Sequence, residues 1–241
     1  MLPEFPGLCM NETVSTIIRV MPCGGGFPSL VETNSGQRYI MKLAGVGQGE
    51  SGLLTEFVAM RLASALGLRV PRGVPIMLSR ALPWQVGTDE FYDALQRSSG
   101  WNLGVQFIDA ARDLTADDLA HVPAQFLDRL AAVDALLQNM DRTKENPNLL
   151  RDSALEYWAI DFGACQFLNR FARYRQGMTF ELPSNHFLAA RPVQSLRLDK
   201  VHETLRKIVL DVPNSWLGTG NRESLLDDLN ALTEAYSKRL G

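Results

Sequence analysis

Asp141 is followed five positions later by Asn146 inside the polar run NMDRTKENPNLL (139–150), and Asp161 opens an Asp-Phe-Gly tripeptide directly after YWAI. Asp161 and Asn146 offer the hard oxygen donors that magnesium prefers, and that ion usually takes few protein oxygens beside phosphate oxygens and water. With those two residues on a metal, Asp141 is left for another task. Phosphoryl transfer needs a carboxylate that orients a hydroxyl and accepts its proton, next to metal ions that neutralise the moving phosphoryl group. It also needs a cation on the nucleotide phosphates, held in place by an acid. Lys42 ends the run RYIMK, and Glu56 stands fourteen residues later. A strand lysine facing a helix glutamate is the pair that positions ATP in protein kinases. Each signal is weak alone; together, in this order, they describe one ATP- and magnesium-dependent site.

These residues need a scaffold, and hydrophobic periodicity supplies one. Between Thr13 and Lys42, β-branched and apolar runs alternate with Gly, Pro and Asn-Ser-Gly turns, which predicts three antiparallel strands, the third ending at Lys42. Leu54, Phe57, Val58, Leu62 and Leu66 form one stripe of a helix over 53–67, with Gly67 as its stop. Two more strands are predicted at 73–79 and 102–108, separated by a polar insertion. A boundary near Asp109 then divides a first lobe, 1–109, from a second, 110–241. In the second lobe the spacing of Phe126, Leu127, Leu130, Val133, Leu136 and Leu137 predicts a buried helix over 123–138, whose C-terminal end emits the loop 139–148. A short hairpin (148–150 with 156–160) leads into Asp161. Two further helices are expected at 198–210 and 222–240, the latter capped by Asn221.

The 241 residues, 46% hydrophobic and 21% charged, are ordinary globular composition. A net charge of -3 offers no general attraction to a phosphate backbone, so nucleic acid is not expected as a partner. No run reaches the roughly 18 apolar residues of a membrane span, and the three scattered cysteines, Cys9, Cys23 and Cys165, suit free thiols. The expected setting is the cytoplasm.

The stretches GQRYIMKLAGVGQGESGLLTEFVAMRLASALGLRVP, NMDRTKENPNLL and YWAIDFGA resemble the HipA-like serine/threonine kinase family, especially its small, shortened members. The likeness runs from about Ser15 to about Phe187 and includes NHFL at 185–188. It implies an α+β, protein-kinase-like fold of two lobes, an antiparallel sheet with one main helix followed by a mostly helical part, with ATP in the cleft. It further implies Asp141 as catalytic base, Asn146 and Asp161 as magnesium ligands, Lys42 on the α- and β-phosphates and Glu56 as the partner of Lys42. The acceptor it implies is a Ser or Thr hydroxyl of a protein or peptide. A small-molecule or lipid kinase, an AMP transferase, or a nucleotide-binding pseudokinase acting as an interaction module are the alternatives on the same fold.

Departures from the usual kinase pattern bear on individual roles. The glycine-rich segment is CGGGFPS, so Gly24, Gly25 and Gly26 are the positions whose backbone N–H groups would approach phosphates. Met140 stands where an arginine often precedes the catalytic aspartate, and Thr143 where many kinases carry lysine, which leaves either Arg142 or Lys144 for the γ-phosphate. Several residues have plainer readings. Asn148 is expected as a turn residue and is the substitute ligand if the metal register is shifted. Asp134, if it faces inward, must bond the catalytic loop, because a buried carboxylate needs partners. Gly45, Gly47 and Gly49 suggest a mobile connection, and Ser29 a site of autophosphorylation. His121, His186 and His202 lack metal-binding spacing; they are expected to be structural or exposed, with His186 the one that could approach the substrate.

Overall fold

A computed structural model of the chain describes residues 12–22, 26–83, 86–168, 179–198 and 201–240. They form two compact units: one holds residues up to Leu54, Arg72–Phe107 and Asp211–Thr219, the other Thr55–Pro71, Ile108–Leu210 and the residues from Gly220 onward.

The first unit is built on a five-stranded antiparallel sheet of β1 (Val14–Val20), β2 (Ser29–Thr33), β3 (Arg38–Lys42), β4 (Gly73–Leu78) and β5 (Gly100–Gln106), in the order β1-β2-β3-β5-β4. Successive side chains of a strand point to opposite faces. On β3, Tyr39 and Met41 therefore enter a core with Val31, Val74, Ile76 and Leu78, while Ile40 and Lys42 take the other face and are only half-buried. Gly104 is required where β5 crosses this core, since a β-carbon there would lie 2.8 Å from Ile76 Cγ2 and 3.2 Å from the Tyr39 ring.

The polar insertion between β4 and β5 contains a helix that periodicity did not predict, α2 (Asp89–Arg97), after a helix α1 (Gly49–Ala65) that begins four residues before its predicted start. Thr88 caps α2 by accepting from the Phe91 N–H, and Phe91, Ala94 and Leu95 fill the sheet core. Helix α2 is short and polar on average, and its apolar residues Phe91, Ala94 and Leu95 lie on one face, a helical spacing that the reading of the insertion as merely polar overlooked. The β3–α1 connection, expected to be mobile, is pinned instead. The Ala44 N–H donates to Asn102 Oδ1 at 2.8 Å and the Gly45 N–H to Ser98 Oγ at 2.8 Å. A β-carbon on Gly45 would come within 2.7 Å of the Arg97 carbonyl carbon, so glycine is needed there for close packing. The 211–219 segment is fastened to this unit by the Trp216 indole N–H, which donates to the Trp101 carbonyl at 3.2 Å.

In the second unit α1 ends at a Schellman turn: Gly67 is left-handed (φ +80°), the Leu68 N–H bonds the Ala63 carbonyl and the Gly67 N–H that of Ser64. Helix α3 (Ala124–Leu137) is buried on all sides from Leu130 to Leu137, which is why its apolar residues run nearly unbroken there. A three-stranded antiparallel sheet follows, β6 (Arg112–Asp113), β7 (Leu149–Arg151) and β8 (Tyr157–Ala159); the β7–β8 hairpin matches the expected one and β6 adds to it. Helices α4 (Val201–Leu210) and α5 (Arg222–Leu240) complete the unit, and Asn221 caps α5 by accepting the Ser224 N–H at 2.8 Å. No helix among the described residues is long and apolar enough to cross a membrane.

Candidate active site

Helix α3 delivers the catalytic-type loop. It ends at Gln138, whose left-handed conformation (φ +55°) turns the chain out of the helix, and Asn139 then bridges antiparallel to Cys165. Asp141 and Asn146 stand exposed on the loop that runs from here to β7. The Asn146 side-chain N–H₂ donates to the Asp141 carboxylate at 3.0 Å and to the Asp141 carbonyl at 3.3 Å. The amide orientation is thereby fixed, and its carbonyl oxygen takes no part in either contact. The Asn146 backbone N–H is held by Thr143 Oγ1 at 3.1 Å.

Beneath these exposed tips lies a buried polar anchor. Asp134, on the last turn of α3, has no exposed surface and accepts from Arg142 Nε at 2.7 Å and from Asn139 Nδ2 at 3.2 Å. The inward-facing acid thus bonds the loop, as a buried carboxylate must. Arg142 is equally buried; its Nη1 donates to the carbonyls of Pro147 at 3.1 Å and Asn148 at 2.7 Å, closing the loop end to end. Of the two cations considered for the γ-phosphate, Arg142 is therefore committed to the interior, while Lys144 is exposed. Asn148 adopts φ +50°, the left-handed geometry of a turn residue.

Asp161 follows β8 after one residue and is also left-handed, at φ +56°. Such a conformation costs a non-glycine residue about 1–3 kcal/mol and persists where surroundings over-determine it, typically at functional sites. Phe162 is fully buried, with the Arg142 guanidinium 5.0 Å from its ring centroid, so the interior of the loop and the Asp-Phe-Gly turn share one contact. A β-carbon on Gly163 would sit 3.4 Å from Glu56 Oε2 and 3.7 Å from Asp161 Oδ1. Glu56, on α1 and only 3% exposed, thus has its carboxylate beside this turn. Cys165, buried behind it, has its thiol pushed well above the usual range by desolvation first and by the Asp134 carboxylate second.

The second unit holds Glu56, Asp141, Asn146, Asp161 and Lys144, with Asn146 on Asp141 and with Glu56 and Asp161 both beside Gly163; Lys42 and Gly26 belong to the first unit, and Gly24 and Gly25 lie outside the described residues. Among the described residues, a β-carbon on Gly26 would meet Val46 at 3.9 Å, an ordinary van der Waals contact. Ser29 is fully buried and donates its hydroxyl to the Phe27 carbonyl at 2.9 Å, so it presents no acceptor for autophosphorylation. His186 is buried on Asp134, whereas His121 and His202 are exposed. Sequence reasoning missed Asn139: its amide oxygen accepts the Asp141 N–H at 3.2 Å while its amide nitrogen bonds Asp134. Its position two residues before the key aspartate was the only available signal.

No curated protein matches the chain. Solved structures similar to it include the Helicobacter pylori proinflammatory kinase CtkA, at 13% identity and TM-score 0.49 over 96% of this chain and 99% of that one. The golgi casein kinase is similar at 11% identity and TM-score 0.47 over 95% and 73%. The MAP kinase LmaMPK10 of Leishmania major is similar at 12% identity and TM-score 0.30 over 94% and 84%. The model of the HipA-like kinase family matches residues 14–239, a span that contains Lys42, Glu56, Asp141, Asn146 and Asp161. With that match over an antiparallel sheet, a catalytic-type loop and an Asp-Phe-Gly turn, the chain belongs to the HipA-like kinase family and is a phosphotransferase of protein-kinase-like fold.

Proposed function

We propose that the protein transfers the γ-phosphoryl group of magnesium-bound ATP to a Ser or Thr hydroxyl of a protein or peptide. The observation that carries this reading is the Asn146 amide bonded to the Asp141 carboxylate at 3.0 Å, on a loop anchored from below by buried Asp134 and Arg142. Asp141 is so oriented by the Asn146 amide that its carboxylate can hold an incoming hydroxyl and take its proton as the new O–P bond forms and the bond from the γ-phosphorus to the bridging oxygen breaks, leaving ADP.

The donor chemistry fits magnesium. Asn146 Oδ1 and the Asp161 carboxylate are hard oxygens on exposed residues, and among the described residues no three of His, Cys, Asp or Glu gather into a cage. An ion there would complete its shell with phosphate oxygens and water, as magnesium does. When bound it would neutralise charge on the phosphates. Lys42 supplies a cation for the α- and β-phosphates, Glu56 its counter-charge, Lys144 a cation for the γ-phosphate, and Gly24, Gly25 and Gly26 backbone donors. A cytoplasmic setting is part of this reading, supported by the need for ATP and magnesium together. No role for nucleic acid is included, since the net charge is -3.

The test is transfer of label from γ-labelled ATP to protein and peptide substrates by wild type, Asp141→Ala and Asp161→Ala. Loss of the base should lower turnover by about 10²–10⁴-fold. Equal transfer by all three would refute the assignment. Intact mass of the product separates added phosphate from added AMP.

A further inference from the structure

We propose that His186, forty-five residues beyond Asp141 in sequence, is a positioning residue for phosphoryl transfer: through Asp134 it fixes the loop that carries Asp141 and Asn146. The proposal rests on the kinase reading above and assigns a role within it.

His186 is 4% exposed, and both ring nitrogens are engaged. The Leu188 N–H points at Nδ1 at 3.0 Å, so Nδ1 must be the acceptor and the ring proton sits on Nε2. Nε2 lies 3.1 Å from Asp134 Oδ2 and donates to it. The same oxygen accepts from Arg142 Nε at 2.7 Å, and the other carboxylate oxygen accepts from Asn139. Asn139 in turn accepts the Asp141 N–H at 3.2 Å. An unbroken chain of hydrogen bonds therefore runs His186, Asp134, Asn139, Asp141, with a branch through Arg142 to the far end of the loop at Pro147 and Asn148.

A second link runs beside the first, because the Phe187 N–H donates to the Arg142 carbonyl at 3.1 Å and the Phe187 ring stacks on His186 at 5.4 Å. The neutral imidazole adds a donor to Asp134 without adding charge, so the buried Asp134–Arg142 pair stays balanced. Losing that donor leaves a lone pair of a buried carboxylate unmet. The loop then has to settle elsewhere, and displacement of a reacting group by about 1 Å can cost about 100-fold in rate.

Two substitutions separate the ring's functions. In His186→Gln the terminal amide nitrogen can replace Nε2 as donor to Asp134; in His186→Asn the shorter amide can serve Leu188 only. Expected results are a kcat within about threefold of wild type for His186→Gln and a loss of about 100-fold for His186→Asn, with KM for ATP in both within about twofold. Asn139→Ala, which cuts the next link, should also lower kcat, and the double variant with His186→Asn should fall no further than the worse single one. It also carries the test should His186→Asn not fold. Independently of turnover, nitrogen-edited proton spectra of the wild-type protein should show one slowly exchanging histidine Nε2–H, absent in His186→Gln.

Wild-type kcat in folded His186→Asn or Asn139→Ala, a defect confined to KM for ATP, additive losses in the double variant, or no protected ring proton would each overturn the proposal. Failure of the kinase reading itself looks different: wild type would transfer no label to any substrate while the ring proton remained.

Discussion

Asn146 and Asp141 are joined twice, amide nitrogen to carboxylate at 3.0 Å and to backbone carbonyl at 3.3 Å, so one side chain sets the direction of the acid and leaves its own carbonyl oxygen out of both bonds. Position and charge are coupled in this pair. Asn146→Ala removes both functions at once. Turnover should fall by at least about 10–100-fold, and the magnesium concentration for half-maximal rate should rise, read from label transfer across a magnesium titration. An unchanged magnesium dependence would remove Asn146 from the ligand set.

Gly45 is boxed in by α2. Its alanine variant places a β-carbon 2.7 Å from the Arg97 carbonyl carbon, a backbone atom that cannot step aside cheaply. Gly45→Ala should therefore cost about 1–3 kcal/mol, as overpacking does, whereas Gly26→Ala, whose nearest contact among the described residues is at 3.9 Å, should stay within about 0.5 kcal/mol. Urea midpoints of the two variants against wild type give the comparison.

Cys165 is shielded by burial, and its thiol is held well above its ordinary range, so little thiolate is available near neutral pH. Alkylation followed by peptide-resolved mass spectrometry should find this cysteine protected by about 10³-fold or more in the native protein relative to the denatured one. Fast native labelling would mean that the turn following Asp161 opens readily.

Tyr236 packs edge-on against Phe180, with ring centroids 4.9 Å apart, and donates its hydroxyl to the Gln194 carbonyl at 3.1 Å. Burial raises its pKa to about 12. An unfolded chain releases the tyrosine proton near pH 10 while the native one keeps it. The unfolded state then binds fewer protons, and stability falls as pH rises from about 10 to about 12, being fully present below that window. Tyr236→Phe should lose about 1 kcal/mol at neutral pH with the hydrogen bond and show a flatter alkaline decline. Denaturant midpoints over this range decide it.

Local chemistry made much of the protein readable from its letters. The five strands of the main sheet, the β7–β8 hairpin, α3 and the Asn221 cap each depend on neighbours a few residues away, and so do the spacing of Asp141 to Asn146 and the Asp-Phe-Gly turn. Helix α2 escaped because it is nine residues long and mostly polar, so the one apolar face made by Phe91, Ala94 and Leu95 was passed over inside a polar insertion. The sequence by itself named the side chains proposed for phosphoryl transfer and determined the order of elements that present them. Tertiary structure alone decided that Arg142 turns inward while Lys144 stays in solvent, that Ser29 is sealed, and that Asp134 meets His186 across 52 positions of chain. The physical reason is that burial and ion pairing depend on distance in space, and residues far apart in sequence leave no periodic trace of their meeting.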